Sequence, residues 1–244
     1  MTGPDILQVR HVFKAFGGLQ ALSDVSFSVP RRGIVGLIGP NGSGKTTLFN
    51  AVSGFFPPDR GEIVLDGRPI AGRPAWTVAR RGLVRTFQVI RVFGQMTALE
   101  NMLVAAPGLD ARAEKERALA LLGRVGLSRH ANEYAADFSY GMTKLLEFAR
   151  VLMPGPSLVL LDEPAAGVNP RMRETLWSIV RESREAGTTF VIIEHDMNVM
   201  MTLCERLTVL NYGEVIAEGA PEEVRRNKDV VEAYFGKTAE RAER

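Results

Sequence analysis

One stretch constrains this chain more than any other: Gly39-Pro40-Asn41-Gly42-Ser43-Gly44-Lys45-Thr46. It fits the pattern G-x-x-x-x-G-K-[ST] in the context that gives the pattern meaning. The apolar run Gly33-Ile34-Val35-Gly36-Leu37-Ile38 reads as a strand leading into the loop. Residues Thr46 to Ser53 read as a helix leaving it, closed by Gly54 and stopped by Pro57-Pro58. The composition has a physical purpose. Glycines let backbone N–H groups curl around phosphate oxygens with no Cβ in the way. The helix that follows aims its positive end at the same phosphates. Lys45 supplies a point charge to the β- and γ-phosphates, and the Thr46 hydroxyl is a ligand for Mg²⁺.

Around this loop the chain alternates strands and helices. Val25 to Val29 alternates strictly, as a half-buried strand does, and Leu7 to Val12 alternates partly. Gly61 to Gly67 is a strand entering an Asp-Gly turn. The middle is helical: Ala118, Leu121, Leu122 and Val125, then Leu145, Phe148, Ala149 and Leu152, recur at helical spacing. Further on, Ser157–Leu161, Thr188–Ile193 and Leu207–Leu210 read as buried strands, with a helix between the first two marked by Met172, Leu176, Ile179 and Val180. Such alternation argues for a parallel sheet. Residues 237–244 read as a charged tail.

Composition narrows the class. The 244 residues are 45% hydrophobic and 24% charged, the balance of an ordinary globular protein. No window of 18 apolar residues occurs, and the start Met1-Thr2-Gly3-Pro4-Asp5 has no signal-peptide character. The single cysteine, Cys204, fits a reducing cytoplasm, and one Cys with three His argues against structural zinc. A net charge of +2 gives no reason to expect a nucleic-acid partner. The charge is uneven, however. Between Asp66 and Glu100 stand Arg68, Arg73, Arg80, Arg81, Arg85 and Arg91 with no acid among them. They either pair with acids elsewhere in the fold or form a face turned toward an anionic membrane.

The second chemical signal is Leu158-Val159-Leu160-Leu161-Asp162-Glu163, an apolar strand ending in two carboxylates. Asp162 suits Mg²⁺, and Glu163, one residue beyond the strand, suits orientation and deprotonation of a water. The plainer alternative is an N-capping pair for the helix beginning near Pro170. With the phosphate loop, the order of motifs resembles the ATP-binding subunit of an ABC transporter along nearly the whole chain. The resemblance implies roles residue by residue. Phe16 stacks on adenine, and Gly39, Asn41, Gly42, Ser43, Gly44, Lys45, Thr46 and Thr47 form the Walker A cradle. Gln88, in Arg85-Thr86-Phe87-Gln88, reaches Mg²⁺ and the attacking water, so Thr46, Gln88 and Asp162 form the metal set. Glu163 is the catalytic base, and His195, in Glu194-His195-Asp196, contacts the γ-phosphate. Ser139 and Gly141, in Phe138-Ser139-Tyr140-Gly141-Met142, stand where the signature motif LSGGQ belongs. Tyr140 and Met142 depart from the usual glycine and glutamine, and Asn169 departs from the usual D-loop aspartate. Taken singly, Phe16 reads as a core aromatic and Ser139-Tyr140-Gly141 as a helix cap; their joint order gives them the other meaning.

The implied architecture is an α/β P-loop ATPase core with a parallel sheet, an N-terminal antiparallel β subdomain and an inserted helical subdomain. The core and β subdomain would take residues 1–88 and 157–244, and the helical insertion residues 89–156. The implied cofactors are ATP and Mg²⁺. The implied partners are integral-membrane permease subunits, a second ATP-binding subunit (the same chain or a related one) and, indirectly, a periplasmic or extracellular solute-binding protein. The implied place is the cytoplasmic face of the inner membrane. Val84 to Gln88, Met96 to Asn101, Glu163 to Pro170 and Ala233-Tyr234-Phe235-Gly236 further resemble importers of branched-chain amino acids and their amide and urea relatives. Two other classes compete. A non-transport ABC protein usually carries two cassettes or a coiled-coil insertion, and neither is present here. A GTPase needs Asn-Lys-x-Asp, and Asn227-Lys228-Asp229 has the wrong spacing.

Overall fold

The computed structural model of the protein describes residues 5–87 and 89–235. Gln88, Gly236 and the charged tail therefore lie outside the described residues. The first sheet is antiparallel, in the order β2-β1-β4-β5, from β1 (Asp5–Phe16), β2 (Leu19–Pro30), β4 (Arg60–Leu65) and β5 (Arg68–Pro69). The second has the order β10-β9-β3-β8-β7-β6. Its strands are β3 (Ile34–Ile38), β6 (Leu83–Arg85), β7 (Leu158–Asp162), β8 (Thr189–Ile193), β9 (Arg206–Asn211) and β10 (Glu214–Gly219). All its neighbours are parallel except the β9–β10 pair. That antiparallel edge departs from a purely parallel expectation. Tyr212 and Gly213, both at positive φ, turn the chain back on itself, as a two-residue hairpin requires.

The helices are α1 (Lys45–Val52), α2 (Ala75–Arg80), α3 (Ala98–Leu103), α4 (Ala111–Arg124), α5 (Tyr140–Leu152), α6 (Pro170–Glu185), α7 (Met197–Leu203), α8 (Pro221–Arg226) and α9 (Lys228–Phe235). They form because their apolar residues share one side. On α5, Leu145, Phe148, Ala149 and Leu152 are all buried; each Leu or Phe so buried stabilises the fold by about 1.5–3 kcal/mol.

Strands β3, β7 and β8 are buried along their whole length, which explains their unbroken apolar sequences. Their two faces serve two cores. Val35, Leu37, Leu158, Leu160, Val191 and Ile193 pack with α1 and the antiparallel sheet. Ile34, Ile38, Val159, Leu161, Phe190 and Ile192 pack with residues of α3, α4, α5, α6 and α7. The C-terminal ends of β3, β7 and β8 thus open into the loops that carry Gly39, Glu163 and Glu194. This is where an open parallel sheet binds its ligands.

Candidate active site

The phosphate loop is held from below. A Cβ on Gly39 would stand 2.0 Å from the Leu210 carbonyl oxygen, and Gly39 sits at φ +149. A Cβ on Gly44, at φ +106, would stand 2.7 Å from the Ala21 carbonyl. No other residue fits these two positions. Asn41, Gly42 and Thr46 face solvent, Thr47 is half-buried, and Ser43 is buried. Lys45 Nζ donates to the carbonyls of Gly39 and Pro40, at 2.8 Å each, and lies 3.4 Å from Ser43 Oγ. The ammonium is thereby stretched along the loop. Burial lowers its pKa below the usual lysine value, against the opposing pull of Glu163 and Asp162.

Asp162 ends β7 as a buried carboxylate, 2% exposed. Its N–H donates to Thr86 Oγ1 (3.0 Å), and Arg85 Nη2 lies 3.5 Å from its Oδ2. Burial raises its pKa; Arg85 draws it down, Glu163 adds to the rise, and the net direction is upward. Arg85 is itself anchored by Asn50 Oδ1 (2.6 Å) and Ser53 Oγ (3.2 Å) at the end of α1. The guanidinium therefore ties the carboxylate strand to the helix behind the phosphate loop. The oxygen donors of Thr46 and Asp162 suit a hard cation that keeps waters and shares substrate phosphates. Among the described residues no cluster of three or more His, Cys, Asp or Glu could cage a metal without such help.

Glu163 follows in the left-handed region at φ +48, an uncommon place for a side-chain-bearing residue. Its N–H donates to the Ile193 carbonyl (3.0 Å), and its own carbonyl accepts from the buried Lys144 (3.4 Å). His195 Nε2 donates to Glu163 Oε1 at 2.8 Å. Behind them Glu194 accepts the Ala165 N–H (3.0 Å) and the His195 N–H (3.3 Å), with its pKa raised by burial. Lys45, Asp162, Glu163 and His195 thus meet in one place. The carboxylate pair is not a helix cap: Asn169 caps α6, its Oδ1 accepting the Met172 N–H at 2.9 Å, with Pro170 opening the helix.

Three expected residues lie apart. Phe16 is no core aromatic; it is 47% exposed at the end of β1, edge-on to Phe56 at 5.3 Å. Ser139 is exposed and caps α5, accepting the Met142 N–H at 3.4 Å. Gly141 lies in the first turn of the same helix, where a Cβ would stand 2.5 Å from Met172 Sδ. Among the described residues no hydrogen bond joins Ser139 or Gly141 to the phosphate loop. Met142 packs on the helical core. Sequence reasoning missed Lys144 and Glu194 as parts of the site, and read Arg85 only as motif and surface charge. Their signal was weak: a charged residue beside an apolar helix stripe or strand end.

A profile of the ABC transporter family matches residues 22–166. The chain belongs to the ABC transporter family. A second profile, of branched-chain amino acid ATP-binding cassette transporters, matches residues 214–240. The cassette is 43% identical to the high-affinity branched-chain amino acid transport ATP-binding protein LivG of Salmonella typhimurium, over 95% of this chain and 98% of that one. It is 41% identical to BraF of Pseudomonas aeruginosa over the same shares. A nucleotide-free ATP-binding cassette from an ABC transporter superposes with a TM-score of 0.87 at 33% identity, covering 96% of this chain and 100% of that one. The ADP conformation of the cassette MJ1267 gives 0.86 at 33% identity, over the same shares. The ABC cassette binds nucleotide and is an ATPase coupled to transport. No helix among its described residues is long and apolar enough to cross a membrane.

Proposed function

We propose that this cassette powers an importer of branched-chain amino acids or related amides, from the cytoplasmic face of the membrane and in company with permease subunits. The observation that carries the reading is the meeting of Lys45, Asp162, Glu163 and His195 at the ends of adjacent parallel strands, together with near full-length similarity to LivG and BraF. Adenine stacks on the exposed face of Phe16, and the amides from Asn41 to Thr47 wrap the phosphates. Lys45 exchanges the carbonyls of Gly39 and Pro40 for phosphate oxygens. Thr46, Asp162 and Gln88 hold Mg²⁺, which neutralises charge on the β- and γ-phosphates when bound. Glu163 takes a proton from the water that attacks the γ-phosphorus, and the bond to the ADP oxygen breaks. His195 fixes the Glu163 carboxylate and reaches the γ-phosphate once ATP is present.

The edge begun by the exposed Ser139, which also caps α5, serves a facing cassette, closing over its γ-phosphate. The helical insertion of residues 89–156 moves with that edge. A groove of about 590 Å³, lined by Phe87, Arg91, Val92, Phe93, Val151 and Pro154 among others, receives a short cytoplasmic helix of the permease.

Glu163→Gln keeps shape and hydrogen bonding and removes the base. Turnover should fall by about 10²–10⁴-fold with ATP binding retained, and an ATP-bound dimer should accumulate. Steady-state hydrolysis near the parent rate would refute the assignment. Uptake of radiolabelled leucine into vesicles holding the whole transporter tests the substrate class.

A further inference from the structure

Lys14 takes no part in the phosphate chemistry, yet its side chain is only 11% exposed. It stands near the end of β1. Its ammonium donates to Asp59 Oδ1 at 2.7 Å and to the Pro57 carbonyl at 3.0 Å. Two further bonds run alongside. The Ala15 N–H donates to Asp59 Oδ2 at 2.7 Å, and the Asp59 N–H donates to the Phe13 carbonyl at 2.9 Å. Residues 13–15 are thus laced to residues 57–59, in the segment that follows α1. An isolated surface ion pair contributes little. Here both carboxylate oxygens are engaged and the two backbones are joined, so the pair has a fixed geometry.

Two aromatic rings flank this tie. Phe16 ends β1, and Phe56 precedes Pro57. Their centres are 5.3 Å apart with the planes at 85°. The Lys14 ammonium lies over both rings, 5.4 Å from the centre of Phe16 and 5.3 Å from that of Phe56. Attraction of the cation to the rings, with the edge-to-face contact between them, holds Phe16 in one attitude. The ring is still 47% exposed. The phosphate loop is close by. Phe16 pairs with Leu19 across the β1–β2 turn, and two residues along β2 the Ala21 carbonyl backs Gly44. Helix α1, which leaves the loop at Lys45, leads at its other end to Phe56.

We propose that Lys14 is the positioning residue of the base subsite: with Asp59 and Phe56 it holds the Phe16 ring in the attitude on which adenine stacks. The proposal rests on the reading that Phe16 carries the base, and extends it to three residues that the motif order leaves without a task. An aromatic held in advance loses less side-chain freedom when the base arrives than one free to turn.

The test is calorimetric titration of the full chain with ADP and with inorganic pyrophosphate. Both carry the diphosphate that the loop cradles, and only ADP has a base. Lys14→Met keeps the aliphatic stem and removes the charge. Its Kd for ADP should rise about 2- to 5-fold, the worth of one surface contact between a cation and a ring, while its Kd for pyrophosphate should not move. Phe16→Ala should raise the Kd for ADP about 5-fold or more, the worth of stacking one base. Adding Lys14→Met to Phe16→Ala should change nothing further, because the ring to be positioned is gone. Parental ADP affinity in Lys14→Met, with Phe16→Ala impaired, overturns the proposal and leaves the adenine reading standing. Equal weakening of ADP and pyrophosphate also overturns it, because Lys14 would then support the loop as a whole. So does an additive loss in the double variant. Parental ADP affinity in Phe16→Ala removes the adenine reading, and the proposal with it.

Discussion

At Gly39 the backbone runs so close to β9 that a methyl group has nowhere to go. Alanine there would put its Cβ 2.0 Å from the Leu210 oxygen at φ +149. The clash is with backbone, which cannot swing aside as a side chain would. Gly39→Ala should therefore cost roughly 3 kcal/mol or more, through both overlap and disallowed φ. That corresponds to a melting-temperature drop of about 6–12 °C for a chain of this size. Thermal unfolding without nucleotide checks it; a drop under about 2 °C would mean that the loop relaxes freely. Glu163 makes a different kind of demand. It occupies the left-handed region at a cost of about 1–3 kcal/mol. The bonds to Ile193 and Lys144 hold it there, and the conformation brings its carboxylate to His195 rather than into the chain's own turn.

Two elements meet where the signature motif departs from its family pattern. The Tyr140 ring lies on Gly167: a Cβ there would be 2.7 Å from Tyr140 Cε1, and Gly167 is at φ +74. Met172, in the first turn of α6, covers Gly141 in the same way. The head of α5 and the loop before α6 are thus fitted to each other by side chains resting on glycines. Met142 is braced by packing where the family uses a polar side chain. Because it is only half-buried, Met142→Gln should leave ATPase activity within about twofold. Ser139→Arg, at an exposed cap, should cost about 1 kcal/mol of stability and yet abolish ATP-driven dimerisation, read by gel filtration in the Glu163→Gln background. A dimer that still forms would place the closing edge elsewhere. At this scale the sequence was informative where periodicity is strong. The strands β3, β7 and β8 announce themselves as unbroken apolar runs because both faces are buried. Six-residue helices such as α2 and α3 are too short to show a period, and β10 is half-exposed at an edge. The Arg85–Asp162 contact joins residues 77 positions apart, and the Gly213 N–H reaches the Ser43 carbonyl from the far half of the chain. Only the sheet order brings such pairs together, so motif order suggested the site's membership and could not supply its bonds.

For the whole molecule, one largely parallel sheet separates two cores, and the groove lined by Phe87 and Phe93 opens beside the strand that leads to Asp162. Strand β6 pairs with β7, so the segment after Arg85 leaves the sheet next to the Asp162 carboxylate and runs directly into the groove. Its far end is pinned by Asn101, wholly buried, which accepts the Phe93 N–H and donates to the Phe93 carbonyl at 2.9 Å each. Glu147 and Arg150 of α5 hold Arg91 from the other side, through its N–H and carbonyl respectively. The segment is thus held at both ends. Of the arginines in the acid-free stretch, Arg85 alone forms an ion pair among the described residues. Arg68, Arg73 and Arg80 stay exposed, and Arg80 lies over the exposed ring of Trp76. Phe93 is the groove's exposed aromatic, with the Arg150 guanidinium 5.4 Å from its ring centre. Phe93→Asp replaces an apolar contact with a carboxylate beside Arg150, which it can neutralise without disturbing the Asn101 latch. ATP affinity of the isolated chain should stay within about twofold, because the nucleotide loops are untouched. Co-purification with detergent-solubilised permease should be lost, along with transport. If the Phe93→Asp protein still assembles and supports uptake at the parent rate, the permease docks on another face.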